Sequence, residues 1–173
     1  SAVPLFRALA VAVEEIRAEG MPRRIRRHRR QAAAFRDGFA AMGLEPFPTR
    51  EGATVFSNTV TAVALPESIR GEASAAFFDA VAARNVSVSG GQAHLGGTIF
   101  RVSNMGGLTP AQVRRGVRTV GEAMTEAGVA VDVEAGVAAA DGHLAAPEAS
   151  PPVDGDGDGE RGGGNGAPRA RPR

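Results

Sequence analysis

Residues 90–113 read Gly90-Gly91-Gln92-Ala93-His94-Leu95-Gly96-Gly97-Thr98-Ile99-Phe100-Arg101-Val102-Ser103-Asn104-Met105-Gly106-Gly107-Leu108-Thr109-Pro110-Ala111-Gln112-Val113. Three glycine pairs fall within the first 18 of these positions. Glycine accepts positive φ and lets a backbone come close to a ligand or to another segment, so paired glycines mark turns and close approaches. Between the second and third pairs, Ile99 to Ser103 form an apolar run that reads as a strand. One arginine, Arg101, interrupts it. An arginine there either pairs with an acid at a sheet edge or aims into a site to hold an anion. The planar guanidinium offers a carboxylate two parallel hydrogen bonds, which fix orientation as well as affinity. The residues alone leave both readings open. After the third pair, Thr109, Pro110 and Gln112 form a capping box that predicts the start of a helix. Val113, Val117, Val120 and Met124 give that helix its buried stripe, and Gly128 closes it.

Working outward, residues 4–18 carry Leu5, Leu9, Val13 and Ile16 at helical spacing behind Pro4, and Gly20 and Pro22 end that helix. A second helix over 22–42 follows, with Ile25, His28, Ala32, Phe35, Phe39 and Met42 on one continuous stripe and Gly43 as its left-handed stop. Residues 59–65, Thr-Val-Thr-Ala-Val-Ala-Leu, are β-branched, lie between Asn58 and Pro66, and predict a strand. Residues 71–84 return to helix, with Phe77, Ala80 and Val81 on one face. Val86 and Val88 predict a short strand running into Gly90 and Gly91. The order α-α-β-α-β-β-α has too few strands for a barrel. The expected class is α+β, a small antiparallel or mixed sheet with helices packed on one face.

Beyond about residue 130 the chain turns to Ala, Gly, Pro and Asp, shows no stripe of any period, and is expected to be disordered. Charge divides at the same place. Residues 1–128 hold 16 Arg and 11 acids, whereas residues 129–173 hold 4 Arg and 8 acids. The expected organisation is one folded domain over 1–128 and a disordered tail over 129–173. Within the tail, Asp154-Gly155-Asp156-Gly157-Asp158-Gly159 matches the opening of a calcium loop. Its twelfth position is Asn165 rather than Glu and its flanks are not helical, so it reads as a flexible acidic linker and no metal site is assigned.

Composition removes several function classes. The 173 residues contain no cysteine, which excludes disulfides, thiolate metal sites and cysteine nucleophiles. No apolar run approaches the roughly 20 residues that span a bilayer. No signal-peptide pattern opens the chain, and a cytoplasmic protein is the expectation. All 20 basic residues are arginine. These residues therefore cannot supply a Schiff-base lysine.

The run GGQAHLGGTIFRVSNMGGLTPAQV resembles the closing segment of the class V pyridoxal-phosphate-dependent aminotransferases of the alanine–glyoxylate and serine–pyruvate group. That segment has a Gly-Gly, a short loop, a Gly, an apolar-Arg-apolar strand, a small-residue turn and a helix. Upstream, RRHRRQAAAFRDGFAAMGLEPF is similar to the family's second helix, and SNTVTAVALPESI to its Thr-Val-Thr-Ala-Val strand. Order and spacing agree over residues 1 to about 127. The resemblance implies the carboxy-terminal small domain of such an enzyme. It implies that Arg101 holds the substrate α-carboxylate and that Gly90 and Gly91 shape the loop beside it. The cofactor, pyridoxal 5'-phosphate, would be bound mainly by a large domain, so no catalytic, cofactor-binding or metal-binding residue is assigned here. Implied partners are a small amino acid, a 2-oxo acid such as glyoxylate or pyruvate, the large domain and the second subunit of a homodimer. Alone, the chain is expected to be inactive. Gln92-Ala93-His94 stands where relatives often have Leu-Gly-Pro, so substrate choice is not fixed by the loop. Phosphonate-linked and phosphoserine aminotransferases share this kind of domain and stay open. Cysteine desulfurases usually carry a cysteine in this region and are set aside.

Arg23, Arg24, Arg26, Arg27, Arg29 and Arg30 surround His28. Such a cluster can bind phosphate backbone, but no aromatic is interleaved for stacking. The favoured reading is a solvated helix face or a contact with the large domain, and nucleic acid is set aside as a partner. His94 in the glycine-rich loop reads as a loop residue without chemistry, His28 as a core or interface residue, and His143 as part of the tail. Two alternatives to the enzyme reading remain: a non-catalytic truncated fragment, or a stand-alone α+β binding module using its arginine-rich helix.

Overall fold

The computed structural model describes residues 2–49 and 51–145. Helices α1 (Val3–Glu19) and α2 (Met21–Ala41) come first, joined through Gly20. Strand β1 (Val60–Ala64), helix α3 (Ser74–Ala83), strands β2 (Ser89–Gly90) and β3 (Ile99–Ser103) and helix α4 (Pro110–Glu126) follow, then a fifth helix, α5 (Val133–Leu144). The sheet is antiparallel with order β1-β3-β2, so the strand that carries Arg101 is central. Beyond β1, Phe47 N donates to Ala62 O and Ala64 N to Glu45 O, so residues 45–47 cover that edge.

Strand alternation assigns the two faces of the sheet. Val63 and Leu65 of the β1 segment, with Phe100 and Val102 of β3, point into the core and are buried. The ring of Phe100 meets Phe39 of α2 edge-on at 5.6 Å and Phe77 of α3 at 5.2 Å. Val113, Val117, Val120 and Met124 close the core from α4 as their spacing predicts. The capping box forms as read: Gln112 N donates to Thr109 Oγ1 and Thr109 N to Gln112 Oε1. The α+β expectation, with helices on one face of a small antiparallel sheet, is what the structure holds.

Three sequence expectations are corrected. Residues 86–88 are not strand. Asn85 takes φ 57° at the end of α3, and the chain falls into register with β3 only at Ser89 and Gly90. The helix expected from residue 71 opens as a 3-10 turn, Gly71–Ala73, because Gly71 sits at φ 67°; the α-helical turns begin at Ser74.

The third correction is the largest. Part of the stretch expected to be disordered folds as α5, capped by Asp132 Oδ1 accepting from Ala135 N. Val137 and Ala140 join the hydrophobic core, so the folded unit runs past the expected boundary at 128. The stripe is invisible to periodicity because glycine and alanine carry it: Gly136 and Gly38 allow α5 and α2 to pack backbone against backbone. A Cβ on Gly38 would lie 3.0 Å from Gly136 O. Two ion pairs fasten the helix from outside, Arg118 with Glu134 and Arg114 with Asp141. Residues 146–173, with the calcium-loop-like run, lie outside the described residues.

Helix α1 has the form expected but buries none of its residues. At its carboxy-terminal end Glu19 accepts from Arg27 Nη2 at 2.9 Å and Arg24 Nη1 at 3.0 Å.

Candidate functional site

Arg101 lies on the sheet face opposite the helices, because its neighbours Phe100 and Val102 occupy the core face. Its register partners are Ala62 on β1 and Ser89 on β2. Both are small, so the long side chain has room to lie across the sheet. Arg101 is half-buried, and its Nε donates to Gly90 O at 2.9 Å. This bond orients the guanidinium, and among the described residues neither terminal nitrogen has a hydrogen-bond partner. Among the described residues no carboxylate pairs with it, so the ion-pair reading of Arg101 finds no partner there. A guanidinium held by one edge with its other donors open is suited to a planar anion such as a carboxylate.

The glycines around it do separate jobs. Gly90 supplies the carbonyl that orients Arg101. Gly91 allows the following loop to fold back on itself: a Cβ there would stand 1.9 Å from Leu95 O, so no other residue fits. The loop then turns through a 3-10 segment, Ala93–Leu95, with Ala93 at φ 49°, before Gly97 O accepts from Gly71 N. Ile99, on the same sheet face as Arg101, is buried without joining the helix-side core. Gln92 and His94 are exposed.

The structure also shows a clamp that the sequence reading missed. Three residues in two successive turns of α2 reach the segment after β3. Arg27 Nη1 donates to Gly106 O at 2.8 Å and Gln31 Nε2 to Leu108 O at 2.7 Å. Asn104 is fully buried, and its Nδ2 donates to His28 O at 3.2 Å and to Asn58 O at 2.9 Å. An Asn next to Met105-Gly106 looks like an ordinary turn residue, and no one-dimensional pattern distinguishes it. His28 sits buried in this clamp. Burial lowers its pKa below the usual 6.5, and the nearby charges of Arg27 and Arg24 lower it further, against a smaller opposing effect of Glu19.

The arginine cluster is divided by these contacts. Arg24 and Arg27 are committed to Glu19, while Arg23, Arg26 and Arg29 face solvent. His143, expected in a disordered tail, belongs to α5 and places Nε2 2.6 Å from Asp37 Oδ2. Among the described residues no group of three or more His, Asp or Glu could hold a metal ion, and no helix is long and apolar enough to cross a membrane.

The described fold is a three-stranded antiparallel sheet with helices on one face and Arg101 on the other. No family model matches the chain. An uncharacterized aminotransferase of Methanocaldococcus jannaschii is 38% identical over 140 residues, covering 78% of this chain and 34% of that protein. The L-aspartate–glyoxylate aminotransferase of Paracoccus denitrificans is 30% identical over 141 residues, 82% of this chain and 35% of that protein. Among solved structures, ureidoglycine–glyoxylate aminotransferase from Bacillus subtilis superposes with a TM-score of 0.71 at 25% identity, covering 80% of this chain and 35% of that one. The chain thus spans about a third of the length of the relatives it matches. Over that third, its sequence and fold are similar to those of aminotransferases, glyoxylate-dependent ones among them.

Proposed function

We propose that the chain acts as the small domain of an aminotransferase subunit that moves an amino group between a small amino acid and a 2-oxo acid such as glyoxylate or pyruvate. The observation that carries this reading is Arg101, oriented by Gly90 O, free of any acidic partner among the described residues, and facing away from the core. In that role its two terminal nitrogens grip the substrate α-carboxylate. Gripping the carboxylate fixes the rotation of the amino acid and holds its Cα–H bond at a constant angle for proton removal.

The cofactor such a reaction needs, pyridoxal 5'-phosphate, draws electrons from the substrate Cα when bound. These 173 residues hold no lysine, so the cofactor does not fit this chain alone. Its Schiff-base partner would come from the remainder of an assembled subunit. By the same reading the chain alone is inactive, works in the cytoplasm, and assembles as part of a homodimer. Expressing the whole reading frame that contains these residues tests the proposal. A visible absorbance band of bound pyridoxal phosphate, bleached by an amino acid and restored by a 2-oxo acid, is the expected result. A colourless product with no transamination would remove the reading.

The binding-module alternative draws little support, since two of the six clustered arginines are spent on Glu19.

A further inference from the structure

Asn104 follows directly on the last residue of β3, on the strand that carries Arg101. Strand alternation sends its side chain to the core face, where it is fully buried. The two hydrogens of its Nδ2 go to main chain from two other elements, His28 O of α2 at 3.2 Å and Asn58 O ahead of β1 at 2.9 Å. Its own N donates to Thr59 O at 3.0 Å. The amide cannot be turned over, because Oδ1 would then meet two carbonyl oxygens. As it lies, Oδ1 is buried with no hydrogen-bond partner among the described residues. A buried acceptor without a donor costs stability, so packing alone does not account for an asparagine here.

What the asparagine supplies is position. Arg101 is the last residue of β3 with a strand on both sides, Ala62 on β1 and Ser89 on β2. Beyond it, among the described residues, Val102 and Ser103 pair only with β1. The strand thus loses half its lateral support one residue after the arginine, and Asn104 ties the unsupported end to α2 and to the approach of β1. The guanidinium itself is held by a single hydrogen bond, to Gly90 O.

We infer that Asn104 is a positioning residue for carboxylate binding: by fixing the end of β3 against α2 it sets the place of the Arg101 guanidinium on the opposite face. The inference rests on the aminotransferase reading and adds to it a residue on the core side of the sheet, away from any substrate. Groups that bind must be held to within about 0.5 Å by the side chains behind them. The anchor lies about 10 Å from Arg101 along the strand, and the rigid ladder with β1 carries its hold that far. Loss of the anchor therefore shows in the grip on a carboxylate while the rest of the fold stays in place.

The test uses Asn104→Leu, which removes both hydrogen bonds and keeps the space filled, with Asn104→Ser as a second, milder variant. In the 173-residue chain, NMR hydrogen exchange at the Arg101 Nε–H and at the amides of Arg101 to Ser103 should quicken about tenfold or more, with the amides of α4 unchanged. In the product of the whole reading frame, the KM for the amino acid should rise about 10- to 100-fold with kcat little changed. An amine substrate lacking the carboxylate should keep its KM. In an Arg101→Ala background the same substitution should add nothing to the amino-acid KM, the non-additivity of two residues that act through one contact. Equal rises for both substrates, full additivity with Arg101→Ala, or no change in either the exchange or the KM overturns the inference. So does unfolding of both variants, which would make Asn104 a residue of the fold alone. A whole-frame product that binds no pyridoxal phosphate, while exchange at Arg101 quickens as expected, leaves the hold of Asn104 on Arg101 standing and removes the functional reading instead.

Discussion

Gly136 of α5 lies directly against Gly38 of α2. A Cβ placed on Gly136 would stand 2.8 Å from the Gly38 carbonyl oxygen and 2.3 Å from Met42 Cε. The two helices meet backbone to backbone, and the methionine fills what space is left. Gly136→Ala is expected to lower stability by about 1–3 kcal/mol, the usual cost of overpacking a filled contact. Urea titration followed by circular dichroism measures it. An unchanged midpoint would mean that α5 is free to shift outward.

The same contact sets where the domain can be cut. A chain ending at residue 145 keeps Val137 and Ala140 in the core. One ending at 128, the boundary suggested by composition, uncovers the faces of α2 and α4 that α5 seals. We expect the shorter chain to lose several kcal/mol, in line with removing buried apolar side chains from a packed core. Thermal unfolding of the two truncations, compared with the full chain, decides the matter.

Two titrating groups at the base of α1 predict a pH dependence of one sign. The folded His28 has a lowered pKa, chiefly because it is buried, so the unfolded chain takes up its proton first as pH falls below about 6.5. Glu19 is held well below its usual 4.5, at about 2, chiefly by its hydrogen bond from Arg27. The unfolded chain again binds the proton first. Stability is therefore full above pH 6.5, falls as His28's unfolded-state pKa is passed, and falls again between about 4.5 and 2. Replacing His28 with Gln should flatten the first step and leave the second. Chemical denaturation at a series of pH values reads both.

The helix α4 cap gives a local test. Thr109→Ala removes the acceptor for Gln112 N and breaks the reciprocal box. The expected loss is about 1 kcal/mol, visible as a lowered Tm. No loss would mean that solvent or Pro110 alone is enough to start the helix.

What the sequence made legible follows from which side chains carried the signal. Large apolar residues at regular spacing located the helices that became α2, α3 and α4 and the central strand, because Phe, Val and Met are buried for the same reason that they are periodic. Arg101 stood out because a charge is costly inside an apolar strand. Helix α5 was missed because its contact surface is Gly136, Val137 and Ala140, and small residues look alike in a buried helix and in a linker. The clamp of Asn104, Gln31 and Arg27 spans 76–79 positions or thereabouts in the chain, too far for any local pattern. Conversely, α1 showed the stripe of a core helix, yet the described residues do not cover it; periodicity reports that a face wants burial and not what buries it.

The sharpest prediction concerns Arg101 in an assembled enzyme. Its Nε is bound to Gly90 O, so substitution costs the fold little: one part-buried hydrogen bond, and no ion pair among the described residues. If the terminal nitrogens grip a carboxylate, Arg101→Ala leaves that carboxylate unpaired, a loss of about 2–5 kcal/mol, or roughly 30-fold to several thousand-fold in the KM for the amino acid. Arg101→Lys keeps the charge but not the planar fork, and should recover only part of the loss. An amine substrate lacking the carboxylate separates this from a structural effect: its KM should be the same in parent and Arg101→Ala enzymes. Steady-state kinetics with both substrates, together with matched unfolding midpoints, makes the measurement. If Arg101→Ala left the amino-acid KM unchanged, the open side of the sheet would have no ligand in this reaction, and Arg101 would be only a brace for the Gly90 turn.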